Sequence, residues 1–273
     1  MTTWINGRLC TRIDARDRGL QYGDGLFETM RVQRGKIRLL DHHLERLAAG
    51  CRRLAIAGVA FPRLRGELER IAARRGAGVL KMIVTRGPGR RGYQPTGRER
   101  CTRIITHHVL PGRSSTEEAE PARIRLCAAR LGQNPGLAGL KTLNRLESVL
   151  ARTEWSDVRV WEGLMRDVEE NIVCGTMSNL FLRRGSILVT PVLDRCGVAG
   201  VMRRWVLETA GEIELQTSER RIGWHDLREA EEVFMTNAVI GLKSVAVIER
   251  GRERLRLPAF EAAGRLRARL DLL

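Results

Sequence analysis

Hydrophobic and polar positions along the first hundred residues switch between two periods. TWINGRLCTRID reads as two short strands around Asn6-Gly7, a dipeptide suited to the left-handed backbone of a tight hairpin. FETMRVQRGKIRLL repeats the logic: strand, Arg34-Gly35-Lys36 turn, strand. The period lengthens in DHHLERLAAGCRRLAI, where Leu44, Leu47, Cys51 and Leu54 recur at helical spacing. Asp41 is the predicted N-cap of that helix, because a carboxylate there accepts from free amide groups at the helix start. PRLRGELERIAARRG predicts a second amphipathic helix. VLKMIVTRG then predicts a strand, GPGRRGYQPTGRER a Gly/Arg loop, and CTRIITHHVL a further strand.

The pattern breaks at residues 111–122, PGRSSTEEAEPA, a polar stretch with two prolines. This predicts a smaller N-terminal α+β domain over 1–110, a linker over 111–122 and a larger C-terminal domain over 123–273. Beyond the break come the strand ARIRLCAAR, a Gly/Asn/Pro loop and a helix starting near Thr142. Leu143, Leu146 and Leu150 mark the expected buried face of that helix. Strands follow around residues 159–189, then the helix VMRRWVLETAG, the strand EEVFMTNAV, a hairpin in VAVIERGRERL and a C-terminal helix. Antiparallel hairpins mixed with helices in two blocks indicate an α+β fold.

Composition narrows the classes. An apolar fraction of 43% argues against disorder. No apolar run reaches the roughly 18 residues of a membrane-spanning helix, and the N-terminus is polar and charged, so the cytoplasm is expected. The six cysteines show no CxxC pair, which suits neither a zinc site nor a disulfide framework. The net charge of +16 would suit a nucleic-acid binder. However, the 44 arginines are spread along the whole chain, and only 4% of residues are aromatic, too few for stacking platforms. A solvated surface biased toward anionic small molecules is the better reading, with a non-enzymatic basic binding protein as the distant alternative.

Only four lysines are present, so the search for a nucleophilic amine is short. Lys36 sits at a hairpin turn, and Lys81 and Lys243 adjoin strands where they could snorkel. Lys141 differs, standing in NPGLAGLKTLNRLESVL where a loop of small residues runs into an amphipathic helix. Partial desolvation there would lower its pKa toward useful nucleophilicity. Candidate anion grips accompany it. GVAGVMRRWVLE puts two glycines ahead of a helix whose first amides favour a phosphate, Arg46 in HLERL projects from a helix, and FMTNAV ends a strand in Thr236-Asn237-Ala238. The five histidines suggest no metal site, and no Ser-His-Asp arrangement or Walker-type loop is present.

Taken together these segments resemble the fold-type IV pyridoxal-phosphate enzymes. The carrying motifs are INGRLCTRIDARDRGLQYGDGLFETMRV, HLERL, VTRGPGRRGYQP, LAGLKTLNRLESVLAR, GTMSNLFLRRG, TPVLDRCGVAGVMR and FMTNAVIGLKSV, in the family's order. Within the family, RGPGRRGY, LAGLKTLNRLE and GVAGVMR look most like the aminodeoxychorismate lyases, with branched-chain and D-amino-acid aminotransferases as the alternatives. The resemblance implies pyridoxal 5'-phosphate as cofactor and Lys141 as Schiff-base lysine and proton shuttle. It implies that Arg46, the amides of Val201 and Met202, Asn237 and Ala238 hold the phosphate. Phe27 and Thr29 would face the substrate, as would Arg86 or Tyr93, with Thr29 assisting proton transfer. A homodimer acting on a small molecule is implied, with no nucleic-acid or membrane partner.

One position departs from that pattern. Family members usually carry a glutamate five residues before the asparagine of the GTMSNLF-type segment, paired with the pyridine nitrogen. Counting back from Asn179 lands on Cys174. Glu169 and Glu170 are close, but reaching the same spot would need a register shift of four or five residues, and an odd shift changes faces. Either the thiol is a tolerated substitution that tilts the chemistry toward elimination, or the protein is crippled or serves another reaction.

Overall fold

The computed structural model describes residues 1–110 and 120–272. Contacts divide the chain into two compact units, Met1–Gly112 with Leu140–Asn144, and Arg113–Gly139 with Arg145–Leu273. Most of the expected 111–122 linker lies outside the described residues.

The first unit is an antiparallel sheet ordered β2-β1-β6-β5-β3-β4, packed against two helices. Its strands are β1 (Thr2–Ile5), β2 (Arg8–Leu9), β3 (Gly25–Gln33), β4 (Lys36–Ile37), β5 (Gly78–Thr85) and β6 (Thr102–His108). Both expected hairpins are present, with Asn6 and Gly7 at φ 52° and 84° and Arg34 and Gly35 at 49° and 76°. Strand alternation divides β3 cleanly. Leu26, Glu28, Met30 and Val32 are buried, whereas Phe27, Thr29 and Arg31 stand half-buried on the other face. Leu80, Met82 and Val84 of β5 join the inward set. Against them lie α2 (Leu40–Arg53), through Leu44, Leu47 and Cys51, and α3 (Phe61–Arg75), through Leu64, Leu68 and Ile71.

Asp41 is not the N-cap of α2. Leu39 occupies that position at φ 54° with no side-chain hydrogen bond. Asp41 sits inside the first turn, where its charge suits the helix dipole, and pairs with Arg65 of α3. The short helix α1 (Arg18–Tyr22) was not expected, although Asp17 accepting from the amide of Gly19 at 2.8 Å and the left-handed Gly23 mark its two ends.

The second unit holds a nine-stranded mixed sheet of order β12-β11-β10-β13-β14-β7-β8-β9, with β15 added on β14. Its strands are β7 (Ala122–Leu131), β8 (Val160–Asp167), β9 (Ile172–Gly175), β10 (Asn179–Arg184), β11 (Ile187–Pro191), β12 (Gln216–Arg220), β13 (Glu232–Asn237), β14 (Gly241–Arg250) and β15 (Glu253–Arg256). The pairs β7–β8, β7–β14 and β11–β12 are parallel. At its centre, Phe181 and Phe234 stack at 5.1 Å. The helices are α4 (Leu146–Arg152), α5 (Val201–Thr209), α6 (Trp224–Glu229) and α7 (Glu261–Leu270). Fully buried Glu232 accepts from the amides of Ala262 and Ala263 at 2.8 and 2.9 Å, so a strand carboxylate caps the start of α7. The mixed α+β class agrees with the sequence reading.

Two corrections concern residues 140–150. Lys141 groups with the first unit rather than the C-terminal domain. The helix expected near Thr142 starts at Leu146, because residues 141–143 are extended and hydrogen-bonded to β3. Its phase also differs from expectation, with Ala151 turned inward while Leu146 and Leu150 are 75% and 63% exposed.

Truncating the stacked pair tests the core of the second unit. Phe234→Ala should destabilise that unit by about 3–5 kcal/mol in a urea titration, whereas a loss below 1 kcal/mol would show that the site collapses around the missing ring.

Candidate active site

Lys141 is placed by backbone pairing. The amide of Phe27 donates to the Lys141 carbonyl at 3.0 Å, and the amide of Leu143 donates to the Gly25 carbonyl at 3.1 Å. Thr142 forms an antiparallel bridge with Leu26. This approach needs a glycine at residue 25, where a Cβ would lie 2.6 Å from the Val84 carbonyl oxygen and 2.9 Å from Leu143. The Lys141 ammonium consequently stands 4.2 Å from the centroid of the Phe27 ring, a cation–π distance. Lys81, opposite Thr29 on β5, reaches the same ring at 5.4 Å. Phe27, Thr29, Lys81 and Lys141 thus form one cationic, partly aromatic cluster.

The inward face of β3 carries a second constellation. Glu28 is 1% exposed among Leu26, Met30 and Val32. Its Oε1 accepts from Arg46 Nε at 2.8 Å, and its Oε2 accepts from a second Arg46 nitrogen and lies 2.6 Å from His43 Nδ1. Burial alone would raise the Glu28 pKa, but the Arg46 guanidinium and the His43 hydrogen bond overturn that and hold it at about 2. An ionised Oε2 can only accept, so His43 donates from Nδ1. Burial pushes the His43 pKa down, outweighing the Glu28 carboxylate that would raise it, and the Arg46 and Lys141 charges add to the downward shift. The imidazole is therefore neutral at physiological pH.

In the second unit, α5 begins at Val201 directly after Gly200. A Cβ at residue 200 would sit 2.0 Å from Asn179 Oδ1, so only glycine permits this approach. Asn179 Nδ2 donates to the Val198 carbonyl at 2.9 Å, and the Gly197 carbonyl and Ala199 amide each pair with Gly139. The loop before the first amides of α5, those of Val201 and Met202, is thereby pinned. Asn237 uses its side-chain oxygen to cap the following turn, accepting from Val239 and Ile240. Next to it, the hydroxyl of Thr236 is buried with no hydrogen-bond partner among the described residues.

Cys174 lies in β9 opposite Met165 and is buried with Val173, Cys127 and Cys196. Burial pushes its pKa up to about 12, so at neutral pH it is an uncharged thiol. Of the two nearby glutamates, Glu169 pairs with Arg195 and Glu170 with Arg130 and Arg166 at the surface. Glu162 was missed by the sequence reading. It is fully buried in β8 and holds the turn after Cys174, accepting from the Thr176 and Ser178 hydroxyls at 2.5 and 2.7 Å.

Arg86, expected along with Tyr93 to face the substrate, is engaged by neighbouring groups of its own unit. It grips Asp24 through two nitrogens and donates to the Leu54 and Ala55 carbonyls at 2.7 and 2.6 Å, so its donors are occupied within the unit. Tyr93 is 84% exposed and meets Tyr22 edge-on, and its carbonyl accepts from Arg18. Glu28, His43 and Lys81 were also missed. The available signal was a charge at an inward or site-facing phase of an otherwise apolar strand, and its meaning depended on distant partners.

The model of class IV amino-transferases matches residues 25–248. This chain belongs to the class IV aminotransferase family. It is 32% identical over 271 residues to an aminodeoxychorismate lyase from Vibrio harveyi, covering 98% of this chain and 99% of that protein. The crystal structure of 4-amino-4-deoxychorismate lyase from Pseudomonas aeruginosa superposes with a TM-score of 0.92 at 45% identity, covering 98% of this chain and 97% of that one. A putative branched-chain-amino-acid aminotransferase from Methanocaldococcus jannaschii is 29% identical over 261 residues, 91% of this chain and 88% of that protein. The family's α+β fold is the one described here, so the resemblance read from ordered motifs holds.

Proposed function

We propose that this class IV enzyme is a pyridoxal-phosphate-dependent 4-amino-4-deoxychorismate lyase, which releases pyruvate and leaves 4-aminobenzoate. One observation carries the reading: Lys141 is pinned to the edge of β3 with its ammonium on the Phe27 ring, in a chain similar over its whole length to two such lyases. Taken by itself, each unit carries groups suited to part of an aldehyde cofactor bearing a phosphate. The first unit offers an amine and the Arg46 guanidinium. The second offers the glycine-flanked helix start at Val201 and Met202, and the Thr236-Asn237-Ala238 segment, whose Thr236 hydroxyl is buried with no hydrogen-bond partner among the described residues.

When bound, the cofactor supplies an electron sink for the carbon bearing the substrate amine. Lys141 Nζ takes the proton from that carbon as general base. Thr29, on the same strand face as Phe27, assists that transfer. Electrons from the broken C–H bond form a ring double bond as the neighbouring C–O bond breaks. The departing enolpyruvate takes up one proton at its methylene carbon, giving pyruvate, and the ring becomes aromatic. Lys81 anchors a substrate carboxylate beside Phe27, a role that Arg86 is too fully engaged to fill. A neutral thiol at Cys174 keeps the sink shallow, which elimination tolerates because the leaving group relieves the developing charge.

A homodimer fits the structure, since Leu146, Val149 and Leu150 present exposed apolar side chains on one short helix. Among the described residues no helix is long and apolar enough to cross a membrane.

Incubation with 4-amino-4-deoxychorismate should yield equimolar 4-aminobenzoate and pyruvate, and Lys141→Ala should abolish both products together with the yellow colour of the bound cofactor. Turnover only with an amino acid and a keto-acid acceptor would identify an aminotransferase instead. Cys174→Glu should raise side transaminase activity and shift the absorbance of the bound cofactor. Unchanged spectrum and activities would exclude a role for the thiol. Leu150→Glu should lower the mass measured by light scattering from dimer to monomer, and a dimer that persists places the interface elsewhere.

A further inference from the structure

Arg46 is held by more than its helix. The Glu28 carboxylate, from the strand beneath, engages two of its nitrogens, and His43, one helical turn earlier, shares the same carboxylate. Both supporting side chains are almost completely buried, at 1% and 0% exposure, whereas the Arg46 side chain remains 14% exposed. A buried ion pair of this kind is a poor source of stability, because desolvating the charges offsets most of their attraction. It is, however, an effective way to fix one orientation. A guanidinium is planar, and a carboxylate facing its Nε and one Nη fixes that plane.

Resting on the pyridoxal-phosphate reading above, we infer that Glu28 and His43 are positioning residues that set the Arg46 guanidinium for the cofactor phosphate. The order of the three groups supports this. His43 donates to Glu28 from Nδ1, and its Nε2 is buried without a partner among the described residues. The imidazole therefore orients the carboxylate and adds no charge of its own. The carboxylate faces the arginine, and the arginine carries the only formal positive charge of the three. Without Glu28 the guanidinium would keep its charge but lose its fixed plane. The defect should then appear in binding of the phosphate and leave recognition of the aldehyde ring unchanged.

The test titrates cofactor-free protein with pyridoxal phosphate and, separately, with pyridoxal, which lacks the phosphate, following visible absorbance. Glu28→Gln should weaken pyridoxal phosphate binding on the order of 10- to 100-fold, the range for a hydrogen bond to a charged group, with pyridoxal binding unchanged. His43→Ala should give a smaller loss in the same sense, and Glu28→Asp should recover part of the affinity. In an Arg46→Met background Glu28→Gln should add nothing further, because the two act as one unit. Circular dichroism checks folding, and if Glu28→Gln does not fold, Glu28→Asp and His43→Ala decide the matter. Variants that bind pyridoxal phosphate like the parent, or that lose both aldehydes equally, overturn the inference while leaving the lyase reading intact. Unmodified protein that binds neither aldehyde overturns the reading on which the inference rests.

Discussion

Three residues of extended chain, 141–143, hydrogen-bond to the edge of β3 at Gly25–Phe27. The placement of the Lys141 amine depends on this pairing. It carries Lys141 out of the local sequence neighbourhood of the second unit and brings it against Phe27. It also accounts for the late start of α4 at Leu146, since a segment donating to a sheet edge cannot form a helix. Each of these backbone bonds contributes only about 1 kcal/mol net. Their effect on geometry is larger, because a strand register fixes the direction of every side chain it carries. Gly25 is part of the same constraint: any side chain there would push the two segments apart.

Once β3 is fixed, its two faces hold different chemistry one residue apart. Phe27 and Thr29 share a face with Lys81 and Lys141, while Glu28 turns inward to hold Arg46 and His43. A single strand thus places the amine cluster and secures the arginine expected to bind the phosphate. In the second unit Glu162 and Glu232 act in a related way, each a buried strand carboxylate that organises a turn or a helix start. Many of the remaining arginines form surface pairs with aspartate or glutamate, which contribute little individually. The net charge of +16 is spread over the chain.

Cys174 shows how the environment sets what a substitution means. An exposed cysteine can supply a thiolate, but at this position burial keeps the thiol neutral. A neutral thiol carries no charge of the kind a carboxylate would bring to this position. Glu169 and Glu170 are drawn off by arginines at the surface, and Glu162 is committed to the Thr176 and Ser178 hydroxyls. Each of these three carboxylates is committed to partners other than Cys174.

Local chemistry in the sequence was enough to place the hairpins at Asn6-Gly7 and Arg34-Gly35, the alternation of β3 and β5, helices α2 and α3, and the α+β class. Turn propensity and hydrophobic period act over a few residues, so they are readable without knowing what lies opposite. The scarcity of lysine singled out Lys141, and the ordered motifs named the family. The tertiary structure alone decided that Lys141 joins the first unit, that Leu146 and Leu150 face outward, that Arg86 is committed to Asp24, and that Glu28 serves His43 and Arg46. Each of these depends on a partner distant in sequence. An apolar period cannot tell a buried face from one left open, and a charge on an inward strand position acquires its meaning only when the side chain that meets it is known.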